Sequence, residues 1–358
     1  MTSASDAIMT WGVVGHDWAV TSLERAVVTG RTAHAFLLTG LHGIGKTTLA
    51  RALARRLQCT GARPPCGDCN ACRKNAKNVS PDVRIVEGVP TGWNFDKDGY
   101  GPPLRKNDRE KRTLRIDQLR GNPPSANDVQ GWLSTAPYES KHKIIIIRRF
   151  EEANESAANA FLKTLEEPPS HAYIILTAQD QSLLLPTIVS RCQRLPLRPL
   201  PLAAVERALV DRWQVEPTPA RLLARLSGGR LGWAVRAASE PKLLQARTDG
   251  LEHLAGLVHE GRAERLARAG DLTKHADELP QLLELWLTWW RDVLLLQSGD
   301  GKRMTNVDYE ERLRDQAAHY STAQVETALK ATRAAARQLE QNANARLVIE
   351  VLALHLPQ

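Results

Sequence analysis

The 358-residue chain predicts an α/β domain built on a parallel sheet, followed by a region that is helical to its end. Three observations predict this. The apolar run Ala35-Phe36-Leu37-Leu38 enters the octapeptide Gly40-Leu41-His42-Gly43-Ile44-Gly45-Lys46-Thr47, and an Ala/Leu/Arg run from Leu49 to Leu57 leaves it, which makes a complete P-loop between a strand and a helix. Ile144-Ile145-Ile146-Ile147 reads as a buried parallel strand. Strand and helix patterns alternate as far as Pro196, Pro199 and Pro201, and beyond those prolines the periodicity is helical.

The length exceeds one ordinary core and implies two or three domains. With 42% hydrophobic and 25% charged residues, the composition is that of an ordinary globular protein. No charged-then-apolar leader suggests export, and no apolar run approaches the ~18–20 residues of a membrane span, so a cytoplasmic protein without a membrane partner is expected. The formal charge of +8 permits contact with nucleic acid, but an arginine-rich set of helix surfaces explains it equally well.

In the P-loop, glycines let the backbone wrap phosphates while N–H groups and a helix N-terminus face the anion. Lys46 adds a point charge, and Thr47, with Thr48 beside it, offers a hydroxyl to Mg²⁺. Gly40, Gly43, Gly45, Lys46, Thr47 and Thr48 are therefore the candidate site for ATP or ADP. A P-loop ATPase holds a magnesium-binding Asp and a second acid at the end of the neighbouring strand. Arg148 and Arg149 stand there instead. Two cations at that place repel the metal and attract phosphate oxygens, so the chain is suited to holding a nucleotide and ill equipped to hydrolyse it.

Taken in order, the residues to about Thr10 read as an unstructured lead-in. Val14, Ala19, Val20, Leu23, Ala26 and Val27 give Trp11 to Gly30 a helical apolar face closed by glycine. Behind the P-loop helix, Cys59, Cys66, Cys69 and Cys72 are spaced C-x₆-C-x₂-C-x₂-C, with Pro64, Pro65 and Gly67 at the turns. Thiolates so placed fold around one tetrahedral ion; with no histidine or open position, the expected Zn²⁺ is structural, the alternative being unliganded thiols. Cys192 stands apart as a small buried apolar side chain. A strand over 83–86 precedes an exposed loop, Pro90 to Arg112. The basic end of this loop (Arg105, Lys106, Arg109, Lys111, Arg112) is either a solvated insertion or a nucleic-acid contact.

Helical patterns follow from Thr113 to Leu119, interrupted by Gly121, Pro123 and Pro124, and from Asp128 to Thr135. Ala158, Phe161, Leu162 and Leu165 form one face of a helix that Pro168 and Pro169 stop. A buried strand from Tyr173 to Thr177 leads through Leu183 to Ile188 to Ser190-Arg191-Cys192. Leu202 to Ser239 reads as a small helical unit with Gly228, Gly229 and Gly232 at its turns. Further on, Leu282 to Leu294, with Trp286, Trp289 and Trp290, is apolar on nearly all sides. It is either the central helix of a bundle or a surface that meets another subunit.

Several of these stretches together resemble the clamp-loader ATPases of bacterial DNA polymerase III. They are the P-loop, the cysteine insertion, Ala157 to Pro169 (AANAFLKTLEEPP), Ser190-Arg191-Cys192, His34-Ala35-Phe36 and Asn342 to Leu347. The resemblance spans most of the chain and implies an AAA+ P-loop module with a zinc insertion (1–199), a small helical lid (200–240) and an all-helical collar (241–358) that assembles a five-membered ring. The motor subunits of that family, gamma and tau, carry an Asp-Glu pair after the central strand. The delta-prime branch lacks it, and with Arg148 and Arg149 at that place this chain resembles that branch, although its intact P-loop departs from the degraded loop common there. Gly232 and Trp233 stand near the place of a motor's lid arginine, with Arg230 as a possible substitute.

The resemblance further implies partners: gamma/tau and delta subunits in a hetero-pentameric ring, the sliding clamp and primer-template DNA. It gives Arg191 a role in trans, as an arginine finger at the nucleotide of a neighbouring motor subunit, with an internal salt bridge as the plainer alternative. Ring association is expected to rest on the helices carrying Trp286, Trp289 and Trp290. Two other functions compete. One is an active motor ATPase in which Glu151 or Glu152 replaces the missing pair, and the other is a zinc-dependent nucleic-acid-binding module.

Overall fold

The computed structural model describes residues 11–95, 112–120, 127–341 and 343–357. The expected lead-in, most of the Pro90 to Arg112 loop, Gly121, Pro123, Pro124 and Asn342 lie outside these residues. The chain packs as two compact units, 1–200 with 230–232, and 201–229 with 233–358.

The first unit holds a five-stranded parallel sheet. Its strands are β1 (Ala35–Thr39), β2 (Val83–Val86), β5 (Lys143–Ile147), β6 (Ala172–Ala178) and β7 (Gln193–Pro196), in the order β2-β5-β6-β1-β7. β3 (Val89–Pro90) and β4 (Arg112–Thr113) form a separate antiparallel pair. β5 is an interior strand and pairs Ile144 with Val83 on one side and with Tyr173 on the other. Because successive strand side chains alternate faces, its isoleucines divide between two cores. Ile144 and Ile146 pack with Phe36, Leu38, Leu49 and Leu53, while Ile145 and Ile147 pack with Leu37, Trp132, Phe161 and Leu165. All four are fully buried, each worth roughly 1.5–3 kcal/mol of transfer free energy.

Helix Asp17–Val28 starts six residues later than the apolar pattern implied; Trp11 is nonetheless fully buried, its indole N–H donating to Glu24 at 3.0 Å. The P-loop helix is Lys46–Gln58 and the Ala158/Phe161/Leu165 helix is Glu155–Glu166, capped by Asn154 on the Ala157 N–H. β7, β3, β4 and helix Asn70–Ala76 were not expected from the sequence.

In the second unit, Leu202–Trp213 and Pro217–Ser227 precede Pro241–His259, Arg262–Leu272, Leu279–Gln297, Glu310–His319, Thr322–Glu340 and Ala345–His355. Helix Leu279–Gln297 is the centre of this bundle. Trp286, Trp289 and Trp290 are at most 3% exposed, and the first two donate their indole N–H groups to Gly250 O and Gln316 Oε1. Of the two readings of this segment, the structure shows the central helix of a bundle: the apolar surface of the three tryptophans is consumed inside their own core. Arg265, 1% exposed, donates to the carbonyls of Val258, Glu260, Ala353, Leu356 and Pro357, tying together the ends of two helices that would otherwise leave buried carbonyls unpaired.

Candidate functional site

The four insertion cysteines converge. Their Sγ atoms all lie within 4.8 Å of one another, and Cys59 and Cys69 are 3.9 Å apart. A tetrahedron of Zn–S bonds of ~2.3 Å needs sulfurs about 3.8 Å apart, so the donor set fits. Backbone N–H groups of Gly61 and Cys66 point at Cys59 Sγ, that of Cys69 at Cys66 Sγ and that of Cys72 at Cys69 Sγ. Burial raises the Cys69 thiol, but the N–H donors of Thr60 and Cys72 and the hydrogen bonds of the Cys72 and Cys66 side chains together outweigh it and bring it to about 6. Burial pushes Cys72 up to about 12. The cluster can hold one metal ion, and helix Asn70–Ala76 supplies Cys72 from its first turn. Cys192 is buried outside the cluster, as expected, its thiol pushed up to about 12 by burial.

The P-loop bridges β1 and helix Lys46–Gln58. Gly40 has φ +139°, and a Cβ there would meet the Leu197 carbonyl at 2.6 Å, so only glycine fits. Lys46 is 8% exposed and folds back on its own loop, donating to Gly40 O and, at 3.0 Å, to Leu41 O. A phosphate entering the loop has to draw the ammonium off those carbonyls. His16 Nε2 donates to Ile44 O at 3.0 Å, and the Gly232 N–H donates to Gly43 O at 2.7 Å. A Cβ at Gly232 would stand 2.8 Å from that same oxygen, so the residue pressed against the loop there has to be glycine.

At the end of β5 the arginines are not free cations. Arg148 pairs with Glu87 at 3.0 Å, and Glu87, 1% exposed, also takes Arg112 at 3.2 Å. Arg149, in a left-handed turn with its N–H on Thr177 Oγ1, pairs with Glu152 at 3.5 Å. Both arginines are thus ion-paired within the chain, and the expected solvated basic loop end is corrected for Arg112, which is 8% exposed and belongs to a buried ion cluster. Glu151 is a carboxylate close enough to the loop to feel the charge of Lys46. Its Oε1 accepts from the Gln179 N–H at 3.2 Å and its Oε2 is buried without a hydrogen-bond partner. Burial raises its pKa, partly offset by the charge of Lys46.

Arg191 caps helix Pro186–Ser190 on the surface, its side chain 35% exposed. It pairs with Glu166 at 2.5 Å and donates to Thr187 O at 2.9 Å.

The family model described as "DNA polymerase III, delta subunit" matches residues 15–201, more than half of the chain, and its C-terminal counterpart matches 241–358. The chain belongs to the DNA polymerase III delta-subunit family. It is 27% identical over 341 residues to subunit delta' of Bacillus subtilis, covering 94% of each. It is 35% identical over 206 residues to delta' of Pseudomonas aeruginosa, 55% of this chain and 53% of that protein. Escherichia coli subunit tau is 29% identical over 267 residues, 72% of this chain but 37% of tau. Within the family, the chain is a clamp-loader subunit of the delta-prime type. Sequence reading of this family member missed the contacts of His16 and Gly232 with the P-loop. No periodicity marks either one, and only the positive φ of His16 and the short approach at Gly232 single them out.

Proposed function

We propose that this chain is the stator of its clamp loader. It joins gamma/tau and delta subunits in a hetero-pentameric ring in the cytoplasm, helps place the sliding clamp on primer-template DNA, and lends Arg191 to the nucleotide of a neighbouring motor subunit without turning over ATP itself. One observation carries the reading: the two residues standing where a motor keeps its acid pair are arginines locked to Glu87 and Glu152. The P-loop residues Gly40, Gly43, Gly45, Lys46, Thr47 and Thr48 then hold ATP or ADP weakly and with little dependence on Mg²⁺. Zn²⁺ on Cys59, Cys66, Cys69 and Cys72 is structural. The working division is the AAA+ module at 1–199, the lid at 200–240 and the collar at 241–358. With the tryptophans buried, the association face is the last helix, where Leu347, Val351 and Leu354 are 60, 52 and 49% exposed at one-face spacing.

Reconstitution with the motor subunits tests this. An arginine finger is worth ~10³–10⁵ in rate at its site. Arg191→Ala is expected to leave ring assembly intact while collapsing hydrolysis at the adjoining site, and Arg191→Lys is expected not to rescue, because an ammonium lacks the planar fork. Lys46→Ala is expected to impair clamp loading less than Arg191→Ala. Wild-type loading by the Arg191→Ala ring would sink the finger. The second reading, a motor ATPase, has one observation in its favour, the half-buried Glu151 carboxylate near Lys46. It predicts strong magnesium-dependent turnover by the isolated chain, abolished by Lys46→Ala.

A further inference from the structure

A guanidinium has five N–H donors, and how many of them a finger leaves available depends on what holds its plane. Arg191 uses one Nη2 donor on Glu166 and one Nη1 donor on the Thr187 carbonyl. Three donors remain on a side chain that is 35% exposed. The two anchors come from different elements, the last residue of helix Glu155–Glu166 and the helix that Arg191 itself caps. Between them they fix both the position and the tilt of the fork.

Glu166 is in turn placed by its backbone. The carbonyl of the residue before it, Leu165, lies 3.0 Å from His34 Nε2. A carbonyl only accepts, so that nitrogen carries the proton. Leu165 itself is 1% exposed in the core, and Pro168 and Pro169 follow the helix end. His34, Glu166 and Arg191 thus form a continuous run from the start of β1 to the surface. An ion pair with partners 35 and 47% exposed contributes little to stability, typically under ~1 kcal/mol. Its consequence is orientation: without Glu166 the long arginine side chain is free to turn among rotamers.

We propose that Glu166, its helix end held by His34, is a positioning residue that presets Arg191 for the neighbouring nucleotide. This inference rests on the reading of Arg191 as a finger acting in trans. Pre-organisation of this kind acts on the chemical step: the contact is made in the transition state, and the entropy of finding it has already been removed.

The test uses the full ring reconstituted with its motor subunits, with assembly followed by gel filtration and ATP hydrolysis measured across substrate concentration. Glu166→Ala is expected to lower kcat by roughly 3–30-fold with the KM for ATP unchanged, the pattern of an interaction realised in the transition state. Glu166→Gln, whose amide oxygen still accepts from Nη2, is expected to fall between Glu166→Ala and wild type. In an Arg191→Ala background, Glu166→Ala is expected to have no further effect. Equal losses from Glu166→Ala in both backgrounds would overturn the proposal, since a purely structural defect is additive. So would wild-type or faster hydrolysis by Glu166→Ala where Arg191→Ala is impaired, while leaving the finger itself standing. Wild-type hydrolysis by Arg191→Ala would remove the finger and the proposal together.

Discussion

The cysteine cluster and the P-loop corner are announced by the sequence with equal clarity, yet they fold to different degrees of completion. In the first, every side chain the motif names ends at one point, with four sulfurs inside 4.8 Å. In the second, the loop is whole but its surroundings are turned inward. Lys46 lies on Gly40 O and Leu41 O, Arg148 on Glu87, Arg149 on Glu152, and Gly232 closes on Gly43. A site whose ligands all come from one short segment is specified by that segment. A site assembled from several strands is specified only when each strand cooperates, and here the end of β5 does not.

The largest expected effect is at the cluster. Cys69→Ser removes a ligand that Cys72 N–H and Cys59 Sγ both approach, so metal content is expected to fall from about one equivalent to a small residue of it. Stability is expected to drop by roughly 2–5 kcal/mol, less than the ~10–16 kcal/mol of an isolated zinc peptide, because the sheet and its two cores do not depend on the ion. Elemental analysis and thermal melts of the reduced protein check both. A metal-free wild type with an unchanged melt would remove the contrast between the two regions.

The same contrast governs what was legible beforehand. The isoleucine strand, the P-loop helix and the apolar face of Glu155–Glu166 could be read because each is carried by a local signal, an unbroken apolar run, a motif and a helical period respectively. β7 could not, because Gln193-Arg194-Leu195-Pro196 is an edge strand with one buried residue, made a strand by pairing with β1. Tryptophans 286, 289 and 290 could be read as apolar but not as inward, since a helix apolar on all sides suits a bundle centre and an interface equally. The partners of Arg148 and Arg149 were hidden for a related reason. Glu87 lies 61 positions before Arg148 in the chain, and β2 pairing beside β5 is what brings them together. Arg191 was placed by its motif, and its contact with Glu166, 25 positions away, was not.

Arg148→Ala sharpens the comparison by asking whether the diverted arginine is structural. Glu87 is 1% exposed, and its Oε2 would lose the Arg148 counter-charge. A loss of roughly 1–3 kcal/mol in urea unfolding is expected, with nucleotide affinity unchanged. If stability were unaltered and nucleotide affinity fell, Arg148 would be a phosphate ligand after all, and the P-loop corner would be more complete than its ion pairs suggest.

The smallest effect, and the most specific, concerns Glu151. Burial raises its pKa, the Lys46 charge counteracts in part, and Glu152 and Arg149 add opposing smaller influences. A carboxyl whose folded pKa lies above its unfolded one favours the fold when protonated. Its contribution is present at acid pH and is lost as the pH rises through the folded value, where the ionised group sits under-solvated with one oxygen unpartnered. Glu151→Gln keeps the acceptor for the Gln179 N–H and removes the charge. It is therefore expected to stabilise the protein at neutral pH by about 1 kcal/mol or less, and the gain should vanish in acid. Melts of both proteins between acid and neutral pH measure this directly. A neutral-pH loss instead of a gain would mean that the ionised carboxylate is held by Lys46 more strongly than burial opposes it. The corner would then keep one working acid, as the motor reading requires.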